Sequence, residues 1–235
     1  MDISATTKAI FDENKDIAST WFSVLARGPA GFQRFDLEKD STLAYALRFL
    51  FFIALVELIL SIPFAPGIGS KSGDKILIAA VVAETIVEYL VVALILHGAM
   101  KVFGGKGRLS ACIAGYSFLT AYMPIISVLM FPTRSISGPV LAEGGNYPQI
   151  VAEVFAKARQ LPGWDRTVLI LSYLATTVVF VLFFTGVFRC FRALHKLGKG
   201  RARLAFGVGL LCSAAFEAMF VLPLLTALYK SFARS

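Results

Sequence analysis

The chain has 235 residues, of which 57% are hydrophobic and only 16% charged, and its mean hydropathy is +0.73. Soluble domains are about 45–50% apolar and about 25% charged, so this composition excludes an ordinary soluble protein and indicates an integral membrane protein. The net charge of +8 would suggest nucleic acid as a partner of a soluble chain. In a membrane protein, however, loop cations set the orientation, and we expect no nucleic-acid partner.

The first 42 residues form a polar segment before any long apolar run. The stretch MDISATTKAIFDENKDIAST lacks an apolar core, which predicts that no cleavable signal is present. Apolar residues between Ile10 and Leu25 recur at spacings of three and four, typical of an amphipathic helix that lies along the inner surface until RGPAG ends it. Residues 147–161 repeat this pattern on the outer side. We expect both helices to cap the bundle, the alternative being lipid sensing or partner binding.

Five long apolar segments follow, and each exceeds the about 18 residues that favour a spanning helix. They are residues 43–65, 76–100, 109–131, 167–188 and 204–229. The predicted fold class is all-α: a polytopic membrane helical bundle with five transmembrane helices and short interfacial amphipathic helices. The corresponding domains are an N-terminal segment (1–42), the membrane domain (43–229) and a tail (230–235). Three cysteines in or beside the spans predict free, packed thiols.

Lysine and arginine outside the spans set the orientation. They are more numerous in residues 1–42, 101–108 and 189–203 than in the intervening segments, which favours a cytoplasmic N-terminus and an outer C-terminus. Residues 189–203 alone carry six cations and no acid. We interpret the cations of the last two inner segments as candidate contacts for anionic lipid or a partner: Lys101, Lys106, Arg108, Arg189, Arg192, Lys196, Lys199, Arg201 and Arg203.

A glycine-rich turn, GGKGR, separates the second and third spans. It lacks the spacing and the preceding strand of a phosphate-binding loop or dinucleotide fingerprint. A tight bend at the anionic inner surface is the better interpretation. We therefore expect positive φ angles at Gly104, Gly105 and Gly107.

Ionisable residues inside the spans are the strongest candidates for function, because each costs about 2.5–3.5 kcal/mol at mid-depth. The candidate intramembrane polar site comprises Glu57, Glu84, Glu88, Glu217 and Arg48. Helix geometry places Arg48 and Glu57 on opposite faces, and Glu57, Glu84 and Glu217 at similar depths. Glu217 continues a small-residue seam with Gly209 and Ser213, so we expect it to point into the bundle. The site would bind a proton, a cation or a zwitterionic lipid or amine; the alternative is a packing device.

Metal and nucleophilic chemistry find little support in the sequence. His97 and His195 are its only histidines, and both are predicted near the inner surface, away from the glutamates. We interpret them as interfacial polar tips. No hydrolase or zinc-protease motif occurs, so we predict no enzyme activity, no cofactor and no metal site.

Two stretches resemble the Yip family of Ypt/Rab-interacting membrane proteins. GGKGRLSACIAGYSFLTAYMPI is similar to the central signature of that family, with matching positions at Gly104, Gly105, Gly115, Tyr116, Ser117 and Pro124. FSVLARGPAGFQRF resembles the segment that precedes the first span, at Pro29, Phe32 and Phe35. The resemblance covers residues 22–229, including the five spans and their orientation.

The resemblance implies a compact five-helix membrane domain without catalytic residues. Eukaryotic members act in vesicle traffic and bind Rab GTPases through a long N-terminal region. This chain has 42 residues there and lacks the acidic-aromatic-Gly-Pro motif, so a Rab-type GTPase is a doubtful partner, and a prokaryotic-type member of the inner membrane is implied. Two hypotheses follow: a protein that organises membrane through anionic lipid, a membrane-protein partner or a second copy, and a transporter or lipid-handling protein.

Overall fold

The computed structural model describes residues 3–61, 74–133, 147–221 and 223, and these contain helices and no strand. The helices are α1 Ile3–Arg27, α2 Asp40–Ser61, α3 Asp74–Val102, α4 Leu109–Leu119, α5 Met123–Leu129, α6 Tyr147–Gln160, α7 Gly163–His195 and α8 Lys199–Phe216. The predicted all-α fold class is confirmed. The predicted span residues 62–65, 222 and 224–229, and the predicted tail 230–235, lie outside the described residues.

Five helical segments are long and apolar enough to cross a membrane, as predicted. They are Asp40–Leu60, Val82–Val102, Leu109–Leu129, Gly163–His195 and Lys199–Val221. Large apolar side chains stand exposed along the outward face of α7, among them Leu171, Leu174, Val178 and Leu182. A face of this kind is stable only in contact with lipid or another apolar surface. The chain is therefore a multi-pass integral membrane protein.

The third span lies at the centre of the bundle. Its helix α4 packs against α2, α3 and α7, and 72% of the span is buried, against 22–33% for the other four. Phe118 of α4 has no exposed surface and stacks with the rings of Phe32 and Phe35 at 5.2 and 5.1 Å. Aromatic packing thus joins the segment before α2 to the central helix.

The third span is broken, whereas the sequence predicted one continuous helix. A 3₁₀ turn at Thr120–Tyr122 separates α4 from α5, and Pro124 lies in the first turn of α5. Proline has no backbone N–H, so it removes a helical hydrogen bond, and the residues before it bend. Irregular backbone at membrane depth is tolerated where protein surrounds it, and Thr120 and Ala121 are fully buried.

Helix α1 packs into the bundle instead of lying along its surface. Trp21 donates its indole N–H to the carbonyl of Ala121 at 2.8 Å, a point roughly 18 Å from the start of the third span. The turn Gly28–Phe32 then reverses the chain, beginning at Gly28 with φ +58°. The prediction that α1 lies on the inner surface is wrong, because its indole N–H finds a carbonyl partner at the broken span; its predicted end at RGPAG is confirmed.

Helix α7 is longer than predicted and absorbs much of the expected basic loop. It runs from Gly163 to His195, and α8 begins at Lys199, so only residues 196–198 form the connection. Lys196 adopts the left-handed conformation with φ 54°, which ends α7. The cations of residues 189–203 therefore stand on helix ends, which hold them in fixed positions.

Candidate functional site

Three cationic segments meet at one end of the bundle, called here the basic end. Arg108, which follows the glycine turn, donates from its guanidinium to the carbonyl of Glu38 at 3.1 Å. The backbone N–H of Lys106 donates to the carbonyl of His195, also at 3.1 Å. These contacts join the approach to α2, the turn between α3 and α4, and the end of α7. The predicted inner segments are thus neighbours in space.

All nine candidate cations at the basic end are exposed. Within the described ranges none of them forms a salt bridge. Arg189, Arg192 and Lys196 line a surface cavity of about 310 Å³ together with Ala193 and Leu197. A concave site with three cations and two apolar walls has the chemistry to receive an anionic group attached to an apolar body.

The glycine turn is confirmed as a bend, but its glycines have two different roles. Only Gly104 has a positive φ, at +89°. Gly105 and Gly107 instead allow close approach: a Cβ on Gly105 would lie 2.3 Å from Nδ1 of His195, and one on Gly107 would lie 3.0 Å from Cδ2 of the same ring. The expectation of positive φ at Gly105 and Gly107 is therefore wrong, because they make room for a side chain.

Other residues of the family-like signature also pack closely. A Cβ on Gly115 would lie only 2.6 Å from Sγ of Cys190. Tyr116 and Pro124 are buried. Small residues at these contacts let helix backbones approach, as is usual between membrane helices. Gly115 and Tyr116 accordingly pack α4 against α7.

The four glutamates predicted to cluster come from three helices and do lie close together. The carboxyl of Glu88 on α3 interacts electrostatically with those of Glu84, Glu217 and Glu57. Tyr89 donates its hydroxyl to Oε2 of Glu57 at 2.8 Å, which joins α3 to α2. Oε1 of Glu84 is buried and has no hydrogen-bond partner among the described residues. The arrangement concentrates carboxyl groups in one part of the bundle.

Two members of the predicted polar site differ from expectation. Arg48 is exposed, so the expectation that it avoids lipid by facing the bundle is wrong; its long side chain has the reach to extend toward the membrane surface. Glu217 is also exposed, where α8 passes into the π-helical turn Glu217–Val221. Gly209 and Ser213 of the same seam are buried, so the seam leaves the bundle interior at Glu217, where α8 ends.

The two histidines, predicted as interfacial tips, are instead buried beside a cysteine. His97 is 8% exposed, and Cys112 and His195 are fully buried. Nδ1 of His97 lies 3.4 Å from Sγ of Cys112, and Nε2 of His195 lies 3.3 Å from the same sulfur. The three ligand atoms all lie within 4.8 Å of one another. The interpretation as polar tips is wrong because three helix ends bring the side chains inward.

Hydrogen bonding assigns the proton positions in this His97–Cys112–His195 cluster. The backbone N–H of Gly107 donates to Nδ1 of His195 at 3.3 Å. The neutral imidazole of His195 therefore carries its proton on Nε2 and directs it at the sulfur of Cys112, and the thiol hydrogen is left for Nδ1 of His97. The ammonium of Lys101 interacts electrostatically with all three groups.

Sequence reasoning missed this cluster, although one signal points to it. His97 and Cys112 lie at similar distances on either side of the glycine turn, so an antiparallel α3–α4 hairpin places them opposite each other. His195 comes from a helix far along the chain, and no local pattern indicates its partner. Gly105 and Gly107 have no side chains, and this leaves the space that the ring of His195 fills.

Comparison of the chain with protein-family models, with curated proteins and with solved structures finds no match. The similarity to the Yip family stays a prediction.

Proposed function

We propose that this chain is a non-enzymatic, Yip-like membrane protein that organises membrane by binding anionic lipid headgroups at its basic end. The observation that carries the proposal is the meeting of nine exposed cations from the ends of α3, α4, α7 and α8. Each Lys or Arg near an anionic membrane surface contributes about 1 kcal/mol of attraction. Several such charges on rigid helix ends favour anionic over zwitterionic lipid.

The cavity at the end of α7 supplies a place for a single headgroup. Three of its lining residues are cationic, and Ala193 and Leu197 give it apolar walls. The first turn of α8 lies beyond Gly198, which provides no side-chain cap, so backbone N–H groups there are available to an anion. The arrangement suits a phospholipid whose phosphate lies in the cavity and whose acyl chains lie along the apolar face of α7.

Native mass spectrometry of the purified protein with phosphatidylglycerol or phosphatidylcholine tests the proposal. The wild type should retain phosphatidylglycerol preferentially. Replacing Arg192, Lys196, Lys199 and Arg201 by Gln should weaken that retention by about fivefold for each charge removed. The control variant Lys157→Gln with Arg159→Gln neutralises cations of α6, at the far end of α7, and should bind as the wild type does. Equal retention by the four-fold variant and the wild type would contradict the proposal.

A second candidate function is transport of a proton, a cation or a lipid through the glutamate cluster. The observation that favours it is the buried Oε1 of Glu84, which has no hydrogen-bond partner in the described part of the chain and lies near the carboxyl of Glu88. In that case proteoliposomes should show a pH-dependent flux that Glu217→Gln abolishes. Absence of flux for protons, cations and lipids would remove this candidate and leave the lipid-binding proposal in place.

A further inference from the structure

We propose that His97, Cys112 and His195 form a binding site for a copper(I) ion at the inner ends of α3, α4 and α7. The site is independent of the headgroup cavity and of the glutamate cluster. Two imidazoles and a thiol are the ligand types that copper prefers. All three side chains are more than nine-tenths buried. Burying polar groups costs free energy that apolar side chains in the same place would not cost, and binding of an ion would offset that cost.

The distances fit a single bound ion. Ligand atoms at about 2.0–2.3 Å from a metal, at angles near tetrahedral or trigonal, are about 3.5 Å apart. The sulfur of Cys112 lies 3.4 Å from Nδ1 of His97 and 3.3 Å from Nε2 of His195. The two ring nitrogens lie within 4.8 Å of each other, so coordination would draw them together around the ion while the two sulfur–nitrogen distances lengthen by a few tenths of an ångström.

Charge and ligand number favour copper(I) over zinc. Among the described residues the group of potential ligands has three members, which suits three-coordinate Cu⁺, whereas structural Zn²⁺ takes four ligands. Cu⁺ bound to one thiolate and two neutral imidazoles is uncharged overall. Zn²⁺ in the same place would leave a positive charge in a buried site beside the ammonium of Lys101, and burying unpaired charge is costly.

Binding must release one proton and move another. The thiol proton of Cys112 leaves as the sulfur coordinates the ion. The proton on Nε2 of His195 passes to Nδ1, because Nε2 becomes the ligand. Nδ1–H then faces the backbone N–H of Gly107, whose nitrogen lies 3.3 Å from Nδ1 in the structure. Two donors that face each other repel. Copper binding is therefore expected to shift the glycine turn that carries Lys106 and Arg108.

The site lies near the basic end, within reach of ions from that side. His195 is the last residue of α7, and its backbone carbonyl holds the turn through Lys106. His97 retains 8% exposure, so the cluster is close to the surface although enclosed.

Competition with bicinchoninate, a chelator that is coloured when it holds Cu⁺, tests the proposal on the full-length protein under anaerobic, reducing conditions. The wild type should withdraw a single Cu⁺ from the chelator. Cys112→Ser and His195→Asn should lower the affinity for Cu⁺ by about a hundred-fold or more. Loss of a residue that only hydrogen-bonds to a metal ligand already lowers metal affinity by up to about a hundred-fold. Cys212→Ser alters an exposed cysteine and should bind as the wild type does.

X-ray absorption spectroscopy at the copper edge can be measured on the wild type alone. It should show one sulfur and two nitrogen neighbours of the copper ion. The proposal is overturned if the wild type takes no Cu⁺ from the chelator, if Cys112→Ser binds unchanged, or if the ion has only nitrogen or only sulfur neighbours. Tighter binding of Zn²⁺ than of Cu⁺ would overturn the choice of ion. In the first three cases the cluster is a hydrogen-bonded packing contact, and in the last it is a zinc site.

Discussion

The imidazole of His195 rests on the backbone of Gly105, so closely that a Cβ on Gly105 would lie 2.3 Å from its Nδ1. This contact fixes the glycine turn between α3 and α4 against the end of α7. The ring of His195 fills the space beside Gly105 and Gly107, which a phosphate-binding loop would leave open for its ligand.

Gly105→Ala should destabilise the protein. The added methyl group would also lie 2.7 Å from the carbonyl oxygen of Met100, a backbone atom with little freedom to move. Overpacking of this kind costs about 1–3 kcal/mol, and denaturant unfolding in detergent micelles measures it. The matched control is Gly98→Ala on α3, where nothing lies within 4 Å of the new Cβ. That change should stabilise the helix by about 0.5–1 kcal/mol, and equal effects of the two variants would contradict the prediction.

Trp21→Phe should destabilise the attachment of α1. The substitution keeps an aromatic ring but removes the N–H that donates to Ala121. A buried carbonyl left without this donor costs about 1–3 kcal/mol. Trp164→Phe is the control, because Trp164 is 77% exposed and its loss should change stability by less than about 0.5 kcal/mol.

The chain has two tryptophans, so fluorescence of Trp164→Phe reports Trp21 alone during unfolding. A red-shifted emission from Trp21 in the folded protein would show that α1 is not inserted and would refute the contact.

Glu84→Gln should raise stability slightly. Glu84 and Glu88 lie one helical turn apart on α3, and their carboxyls interact electrostatically. Glutamine keeps the size of the side chain and removes the repulsion between two carboxylates at this spacing. That repulsion destabilises a helix by about 0.2–0.5 kcal/mol. Its amide also offers N–H donors to the neighbouring carboxyl of Glu88, whereas Oε1 of Glu84 has no hydrogen-bond partner within the described ranges. Thermal unfolding should show a higher midpoint for Glu84→Gln, and no change for the exposed control Glu153→Gln. A lower midpoint for Glu84→Gln would contradict the prediction, because it would show that the carboxylate of Glu84 makes a stabilising contact that glutamine cannot make.

The membrane class, the five spans and the glycine bend could be predicted from the sequence, for clear physical reasons. A span needs about 20 consecutive apolar residues, so the run alone identifies it. The uncharged fourth segment shows this most plainly, although its helix extends beyond the predicted span at both ends and enters the basic region at its C-terminal end. The rise per residue converts position in a span into level, which predicted Glu57, Glu84 and Glu217 at similar depths, and their carboxyls all interact electrostatically with that of Glu88.

The arrangement of side chains around the sites could not be predicted in the same way. In a membrane the helix face that packs against protein is as apolar as the face that meets lipid, so hydropathy does not show which way a residue points. Arg48 was assigned to the interior for its charge, and Glu217 for its charge and for the small-residue seam that it continues, and both are exposed.

The sequence by itself determined that this chain is an all-helical membrane protein with a cationic end, because composition, run length and charge are local properties. Only the tertiary structure decided that α1 inserts beside a broken third span, and that His97, Cys112 and His195 meet. Both depend on contacts between residues some 80 to 100 positions apart in the chain. Such contacts are fixed by how helices pack and by where glycine leaves space, which no periodicity within one segment encodes.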